Sequence, residues 1–432
     1  LRYTAHGKSG YVDRSKWATA LQMSPQEVRD AMFSHSKQHN WMFTKRETAK
    51  ARGVTIGDLP TYLLMSFLDQ WITPALKYDV PEQFELSAYA TETARVWQLF
   101  RLQESSKGGN INMPLDQKGF DQHPTYRQFL IILEELWNVA QCIPERYRED
   151  YLTVIQLLNE KLAGGVIEVA DVLLEIQKGV LSGWKFTLFI DSVTNMGQCF
   201  VARKMVASVL HYDPVVTALF QGDDVDLQVR GYPAAVLMLR AYQDLGLDVH
   251  PGKTWIDRYR NEYLRKVSEN GEYVVGYPSR VVSSILYRKP WVPDPPVGAL
   301  RATEQLNTWL QFISRGADER KVTKLMVRDI ALGNGLTGDI VSRWLHTPNV
   351  YGGGGQPPFE FKRCVRLEAV QRERPFVKFS GYWEKRLQEI GLSARQANDF
   401  IAERVVLPRK VFGPQPVGLR IHEFSINVKP QL

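Results

Sequence analysis

The stretch VVTALFQGDDVDLQV, residues 215–229, narrows what this chain can become more than any other. Val225, Leu227 and Val229 alternate with Asp226 and Gln228, the period-two pattern of a strand with one apolar face. A second apolar run precedes Gly222, so two short strands around a tight turn are expected, with the glycine permitting the bend. The tip carries two adjacent carboxylates, Asp223 and Asp224. Like charges side by side repel unless a cation neutralises them or one is protonated. The tip is therefore either a solvated turn, since turns are rich in Gly and Asp, or a site for a hard divalent cation that prefers oxygen ligands. Asp226, outside the tip, reads as an ordinary strand carboxylate facing away from Val225 and Leu227.

Three further stretches weigh on that choice. In NINMPLD (110–116), Ile111, Met113 and Leu115 alternate as in a half-buried strand. Pro114 counts against a regular central strand, so pairing there is expected to begin late or to bulge. The strand ends at Asp116, and Asp121 follows five residues on. A carboxylate at a strand end could meet the hairpin tip and complete a two-metal arrangement. Asp121 alone reads better as a turn or helix-cap residue. In LSGWKFTLFIDSVTNMGQ (181–198), Ser182-Gly183 reads as a loop entering a helix on which Thr187, Asp191 and Asn195 share one face. Their neighbours Phe186, Leu188, Phe189, Ile190 and Val193 are too apolar for an exposed helix, so the stripe is expected to line a cleft. TKRETAKAR (44–52) gathers Lys45, Arg46, Lys50 and Arg52. It is either a solvated helix end or a phosphate-binding cluster. Lys253 in HPGKTW is a single further cation.

The organisation around these stretches is mixed. The N-terminal third reads as mostly helical. SPQEVRDAMFSHSKQ opens with Ser24 as N-cap and Pro25 at the first helical position. TYLLMSFLDQWITPAL is apolar nearly all round, as a buried helix is. HPTYRQFLIILEELWNVAQCI is a long helix with Pro124 near its start, and YPAAVLMLRAYQDLG is a helix that Gly246 can end in a left-handed cap. LDVHPGKTW returns as an extended segment. The order helix, strand, helix, hairpin, helix, strand indicates a sheet with helices packed on one face. KPWVPDPPVG is a proline-rich connector near residue 290. Beyond it, LRATEQLNTWLQFISRG, DERKVTKLMVRDIALG and SGYWEKRLQEIGLSARQANDFIAERV are amphipathic, and YGGGGQPP (351–358) reads as a flexible loop.

Composition sets limits on function. Cys142, Cys199 and Cys364 lack ligand-like spacing, so neither disulfides nor zinc are expected. A net charge of +7 permits a polyanionic partner. No run of 18 apolar residues appears, so no membrane contact is expected. The start lacks an apolar signal-type core and an initiator Met, which fits a fragment, a processed product or part of a fusion.

Taken in order, the motifs resemble those of viral RNA-directed RNA polymerases, most of all those of double-stranded RNA viruses of totivirus type. ETAKAR is similar to the family's finger motif, DQKGFDQH to its first palm motif, SGWKFT to the second and QGDD to the third. LGLDVHPGKT is similar to the fourth and NEYLRK to the fifth.

The resemblance implies an α+β right-hand architecture. Fingers would span 1–109 and a palm of antiparallel sheet 110–289, with a helical fingers-type insertion around 130–180; a helical thumb would span 290–432. It implies that Asp116, Asp223 and Asp224 are the catalytic carboxylates and hold two Mg²⁺ ions, with Mn²⁺ as an alternative. Lys253 would donate a proton to leaving pyrophosphate, with His250 as a substitute. Lys45, Lys50 and Arg52 would bind the triphosphate, Asp121 the ribose, and Ser182, Gly183 and Thr187 would position template and nucleotide. The family's Asn four residues after the Thr is Asp191 here, with Asn195 one turn on, so either could read the 2′-hydroxyl. The implied partners are RNA template, nascent RNA and NTPs, with viral capsid protein as a further candidate, in the virion interior or host cytoplasm. Two rivals stand beside this reading. One is a reverse transcriptase, disfavoured by Gln221-Gly222 before the aspartates. The other is an inactive polymerase-like RNA-binding protein, a fragment or endogenised copy.

Overall fold

The computed structural model describes residues 2–5, 8–11, 16, 20, 23–34, 37–47, 50–80, 82–169, 172–250, 254–286, 299–370, 388–389, 391, 393, 396 and 418–426. Residues 45–47 and 50–52 are described through their backbone. The chain divides into two compact units, one of Met23–Val274 and one of Leu1–Gln22 with Val275–Leu432; in the latter, β1 (Arg2–Ala5) and β2 (Lys8–Tyr11) pair antiparallel.

The first unit holds the functional stretches. Helix α1 (Pro25–Met32) starts as expected, with Ser24 and Glu27 in a capping box. The next segment does not follow expectation. β3 (His39–Glu47) and β4 (Lys50–Ile56) form an antiparallel hairpin, with Lys45 opposite Arg52 and Glu47 opposite Lys50. The basic cluster is therefore a strand pair, not a helix end, and strands interrupt the helices of the N-terminal third. The base of this hairpin is joined to strands far along the chain. β7 (Val166–Val169) pairs in parallel with the start of β3 and antiparallel with β8 (Val172–Glu175), giving a sheet of order β4-β3-β7-β8. Lys, Arg, Glu and Ala favour helix locally; the antiparallel β3–β4 pairing, anchored at His39–Trp41 by β7, overrides them.

Helices α2 (Leu59–Leu76), α4 (Tyr126–Asn138) and α5 (Glu145–Leu162) build one core with the start of α6 (Thr187–Leu210). The far half of α6 enters another core. There Cys199, Ala202 and Val206 pack with α7 (Tyr232–Asp244) against β6 (Ile111–Leu115), β9 (Val215–Gln221) and β10 (Asp224–Val229). One helix serving two cores must be apolar on more than one side, which explains its unusual composition.

The central sheet has the order β5-β9-β10-β6, where β5 (Phe84–Leu86) is parallel to β9 and the other pairs are antiparallel. Pro114 is accommodated because β6 is an edge strand, and it sits in register opposite Asp226. The irregularity expected there lies instead between Gln228 and Val229 on the β9 side. All five β6 residues are buried, so the strand is not half-exposed. Helices α6 and α7 pack on one face. The other face receives α3 (Glu92–Ser105) and the meander β11 (Arg260–Tyr263), β12 (Lys266–Glu269) and β13 (Tyr273–Val275). Asp226 is consequently not an ordinary strand carboxylate. It is 3% exposed, accepts a bond from Asn261 Nδ2 at 3.2 Å, and burial pushes its pKa up to about 7.

The second unit packs α9 (Ala299–Ser314), α10 (Glu319–Asn334) and α11 (Gly338–His346) against β14 (Cys364–Val370), which pairs with β15 (Gly418–Phe424). The short helix α8 (Ser279–Leu286) precedes them. The glycine run after α11 is not a flexible loop. Gly354 N bonds Trp344 O at 2.8 Å and Gly355 N bonds Thr347 O at 2.9 Å. A Cβ at Gly353 would lie 2.1 Å from Thr347 O. The expected amphipathic segment 380–405 falls almost wholly outside the described residues. Among the described residues no helix is long and apolar enough to cross a membrane.

Candidate active site

The hairpin expected from the sequence is present: Asp224 pairs with Gln221, leaving Gly222 and Asp223 as the two central residues of the turn. Gly222 has φ +62°, and a Cβ there would meet Leu188 Cδ1 at an ordinary 3.7 Å. Conformation, not space, requires the glycine. Val225 pairs with Leu115 in the β10–β6 ladder. Asp116 follows Leu115 and Asp224 precedes Val225, so the last pair of the ladder joins the neighbours of both carboxylates. The end of β6 thus pairs with the start of β10, next to the hairpin turn.

The segment after Asp116 is stapled on two sides. His250 N bonds Asp116 O at 2.8 Å, and Asp116 N bonds Thr254 Oγ1 at 3.4 Å, so the 250–254 segment lies alongside. Lys253 itself lies outside the described residues, and His250 is the cationic candidate placed beside Asp116. Asp121 sits on a 3₁₀ turn (Phe120–Gln122), where its carbonyl accepts Val180 N at 2.7 Å. That bond draws the loop before Ser182 toward Asp121.

Ser182 and Gly183 are brought against β4. Thr55 N donates to Ser182 Oγ at 3.2 Å, and a Cβ at Gly183 would lie 2.1 Å from Thr55 O. Only glycine permits this approach of two backbones. The strand that carries Lys50 and Arg52 thus runs directly to the Ser-Gly loop. Thr187 opens α6 and spends its hydroxyl on Leu181 O and Trp184 O, at 2.7 and 3.0 Å.

The polar stripe on α6 sits where the helix passes from one core to the other. Asp191 is 4% exposed, and its Oδ1 has no hydrogen-bond partner. Burial pushes its pKa up to about 8, helped by the charges of Asp121 and Asp223 and by a side-chain hydrogen bond with Asp121. Two carboxyl groups can share such a bond only when one holds a proton. A protonated Asp191 can donate a hydrogen bond, as an asparagine would. Asn195 is fully buried and bonds Gly222 O at 3.0 Å and Gln117 Nε2 at 3.1 Å.

Sequence reasoning passed over Ser192 and Gln117. Ser192 Oγ accepts Gly222 N at 2.8 Å. Gln117 follows Asp116 and is buried against α6. Neither carries a distinctive pattern; the adjacency of Gln117 to Asp116 was the only signal available.

The candidate donors Asp116, Asp223 and Asp224 offer oxygens of the kind a hard cation prefers, and burial, with the charges of Asp121 and Asp223 adding to it, favours the neutral form of Asp191 beside them. As placed, no three His, Cys, Asp or Glu side chains among the described residues form a group able to hold a metal ion. The three-carboxylate cluster expected from the sequence is thus not assembled. Carboxylates spread apart unless a cation lies between them.

Residues 87–287 match the family described as viral RNA-directed RNA-polymerase. That segment is similar to the viral RNA-directed RNA polymerases. A probable RNA-directed RNA polymerase of Giardia lamblia virus (isolate Wang) is 28% identical over 293 residues, which cover 66% of this chain and 15% of that protein. Two solved structures share the polymerase fold. A chain of an RdRp complex has TM-score 0.54 and 12% identity over 83% of this chain and 30% of its own. The BmCPV RNA-dependent RNA polymerase at elongation state has TM-score 0.50 and 14% identity over 73% and 28%. The chain therefore spans about a sixth of the curated relative and under a third of these two structures. Its fold is the α+β polymerase fold, and polymerases of this family use divalent metal ions.

Proposed function

We propose that this chain is the catalytic part of an RNA-directed RNA polymerase that joins NTPs to the 3′-hydroxyl of a growing RNA on an RNA template. The observation that supports this reading is the β10–β6 ladder, whose last pair, Val225 with Leu115, lies next to Asp224 and Asp116 in the chain, with Asp191 on α6 close to Asp223. Asp116, Asp223 and Asp224 would hold two Mg²⁺ ions, or Mn²⁺ in their place. When bound there, such ions would supply Lewis-acid chemistry, favouring deprotonation of the 3′-hydroxyl and offsetting charge on the leaving pyrophosphate.

The chain's own groups do the positioning. Asp121 and Asp191 face the sugar of the incoming nucleotide; Asp191, when protonated, donates toward the 2′-hydroxyl while Asp121 accepts. Lys45, Lys50 and Arg52 on the β3–β4 hairpin bind the triphosphate. Ser182 and Gly183, fixed against Thr55, hold the loop over which the template base lies. Lys253 supplies a proton to pyrophosphate, with His250 as the substitute.

In the right-hand division, β3–β4 and β7–β8 belong to one fingers sheet that 1–109 and the insertion near 130–180 build together. The palm takes 110–289 and also recruits β5. The thumb takes 290–432. RNA template, nascent strand and NTPs are the partners, with capsid protein a further one, in the virion interior or host cytoplasm.

Primer extension on an RNA template tests the reading. Purified chain should incorporate NTPs in preference to dNTPs, and Asp223→Ala should reduce incorporation by at least about 10³-fold, the scale of losing a transition-state charge clamp. Preference for dNTPs would mean a reverse transcriptase. RNA binding without incorporation would mean an inactive relative.

A further inference from the structure

We propose that Ser192 and Asn195 are positioning residues that set the place of Asp223 by gripping the peptide groups of Gly222. The proposal rests on Asp223 being a catalytic carboxylate. Gly222 is a central residue of a two-residue hairpin turn, where backbone N–H and C=O groups ordinarily point to water. Here both are captured from the same helix. Ser192 Oγ accepts the N–H at 2.8 Å, and Asn195 Nδ2 donates to the C=O at 3.0 Å.

The grip is fixed in polarity and in place. Ser192 donates its own hydroxyl proton to Leu188 O at 2.6 Å, so its oxygen is left to accept. Asn195 Oδ1 accepts Gln117 Nε2 at 3.1 Å, and Gln117 Nε2 also reaches Gln198 Oε1 at 3.1 Å. Ser192 and Asn195 are 0% exposed and Gln117 is 3% exposed, so water does not compete. The second palm motif's helix is thereby joined to the turn that carries Asp223 and to the residue next to Asp116. The ladder alone fixes the β9–β10 register; it leaves the tip beyond Gln221 and Asp224 free to tilt. The two bonds from α6 remove that freedom. Both polar ends of Asn195 are engaged in this network, which leaves the sugar-facing role to Asp191.

Ser192→Ala, Asn195→Asp and wild-type protein separate this from a general structural role. Amide hydrogen exchange, read at Gly222 in metal-free protein, should quicken at least about tenfold in Ser192→Ala, since the N–H loses its acceptor. Neighbouring β9 amides and the melting temperature should hold. In single-nucleotide incorporation, kcat should fall roughly 10²-fold in both variants, as for a displacement of about 1 Å at a reacting group. KM for NTP should change little, because neither residue touches nucleotide. Ser192→Thr, which keeps the acceptor, should restore slow exchange. Unchanged Gly222 exchange in Ser192→Ala overturns the proposal, as do equal losses in kcat and KM. If wild-type protein incorporates nothing, the polymerase reading fails, and the exchange data still decide whether the grip exists.

Discussion

At the scale of single residues, Asp191 carries the most consequence. A bound cation near Asp223 would offset the neighbouring charge and draw its pKa down; without one it stays at about 8, against an ordinary 3.8. Between those values the folded protein keeps a proton that the unfolded chain releases, so stability from this group is complete below the lower value and falls as pH rises toward the upper one. Asp226, held up to about 7 by burial, acts in the same direction. Asp191→Asn is neutral at every pH. In chelator it should melt above wild type at pH 8, with the gap shrinking steadily toward pH 4. A gap of constant size across that range would rule out titration of Asp191 as the cause. The position was legible in the sequence as a departure from the family's Asn. That Asp191 is buried and protonated was not, because neither burial nor the approach of Asp121 and Asp223 is written in local pattern.

At the scale of elements, two close approaches replace what read as loose chain. Gly183 lets the Ser-Gly loop touch β4, and Gly353 lets the turn after α11 fold onto Thr347. Gly183→Ala should disrupt the loop and lower incorporation by at least about tenfold, with intact folding by circular dichroism, since a 1 Å displacement near a reacting centre can cost about 10²-fold. Gly353→Ala should destabilise the second unit by roughly 1–3 kcal/mol, the usual cost of overpacking, seen as an earlier urea midpoint. A glycine run looks the same in sequence whether it is slack or packed; only its neighbours distinguish them. The helices at 25–32, 126–138 and 232–244 were readable because caps, proline and periodicity act within a few residues.

At the scale of the whole molecule, a +7 charge and a basic β3–β4 hairpin predict salt-sensitive RNA binding. Affinity for single-stranded RNA should fall between 50 and 200 mM salt, and Lys50→Ala should reduce the log–log slope by about 0.7, the value for one lost phosphate contact. A slope unchanged by Lys50→Ala would remove that lysine from the interface. The sequence by itself supplied the candidates for the chemistry, namely carboxylates, glycines and cations in a given order, because motif spacing and strand alternation are local. It also determined the helix starts and the hairpin at Gly222. Only the tertiary structure decided that the basic cluster is a strand pair, that α6 bridges two cores, and that Ser192 and Asn195 hold the catalytic turn. The bridging helix and the held turn depend on partners roughly 30 or more residues away, and the base of the basic hairpin on β7, much further along the chain. Pairing and burial at that range come from the packing of the whole chain and override local preference.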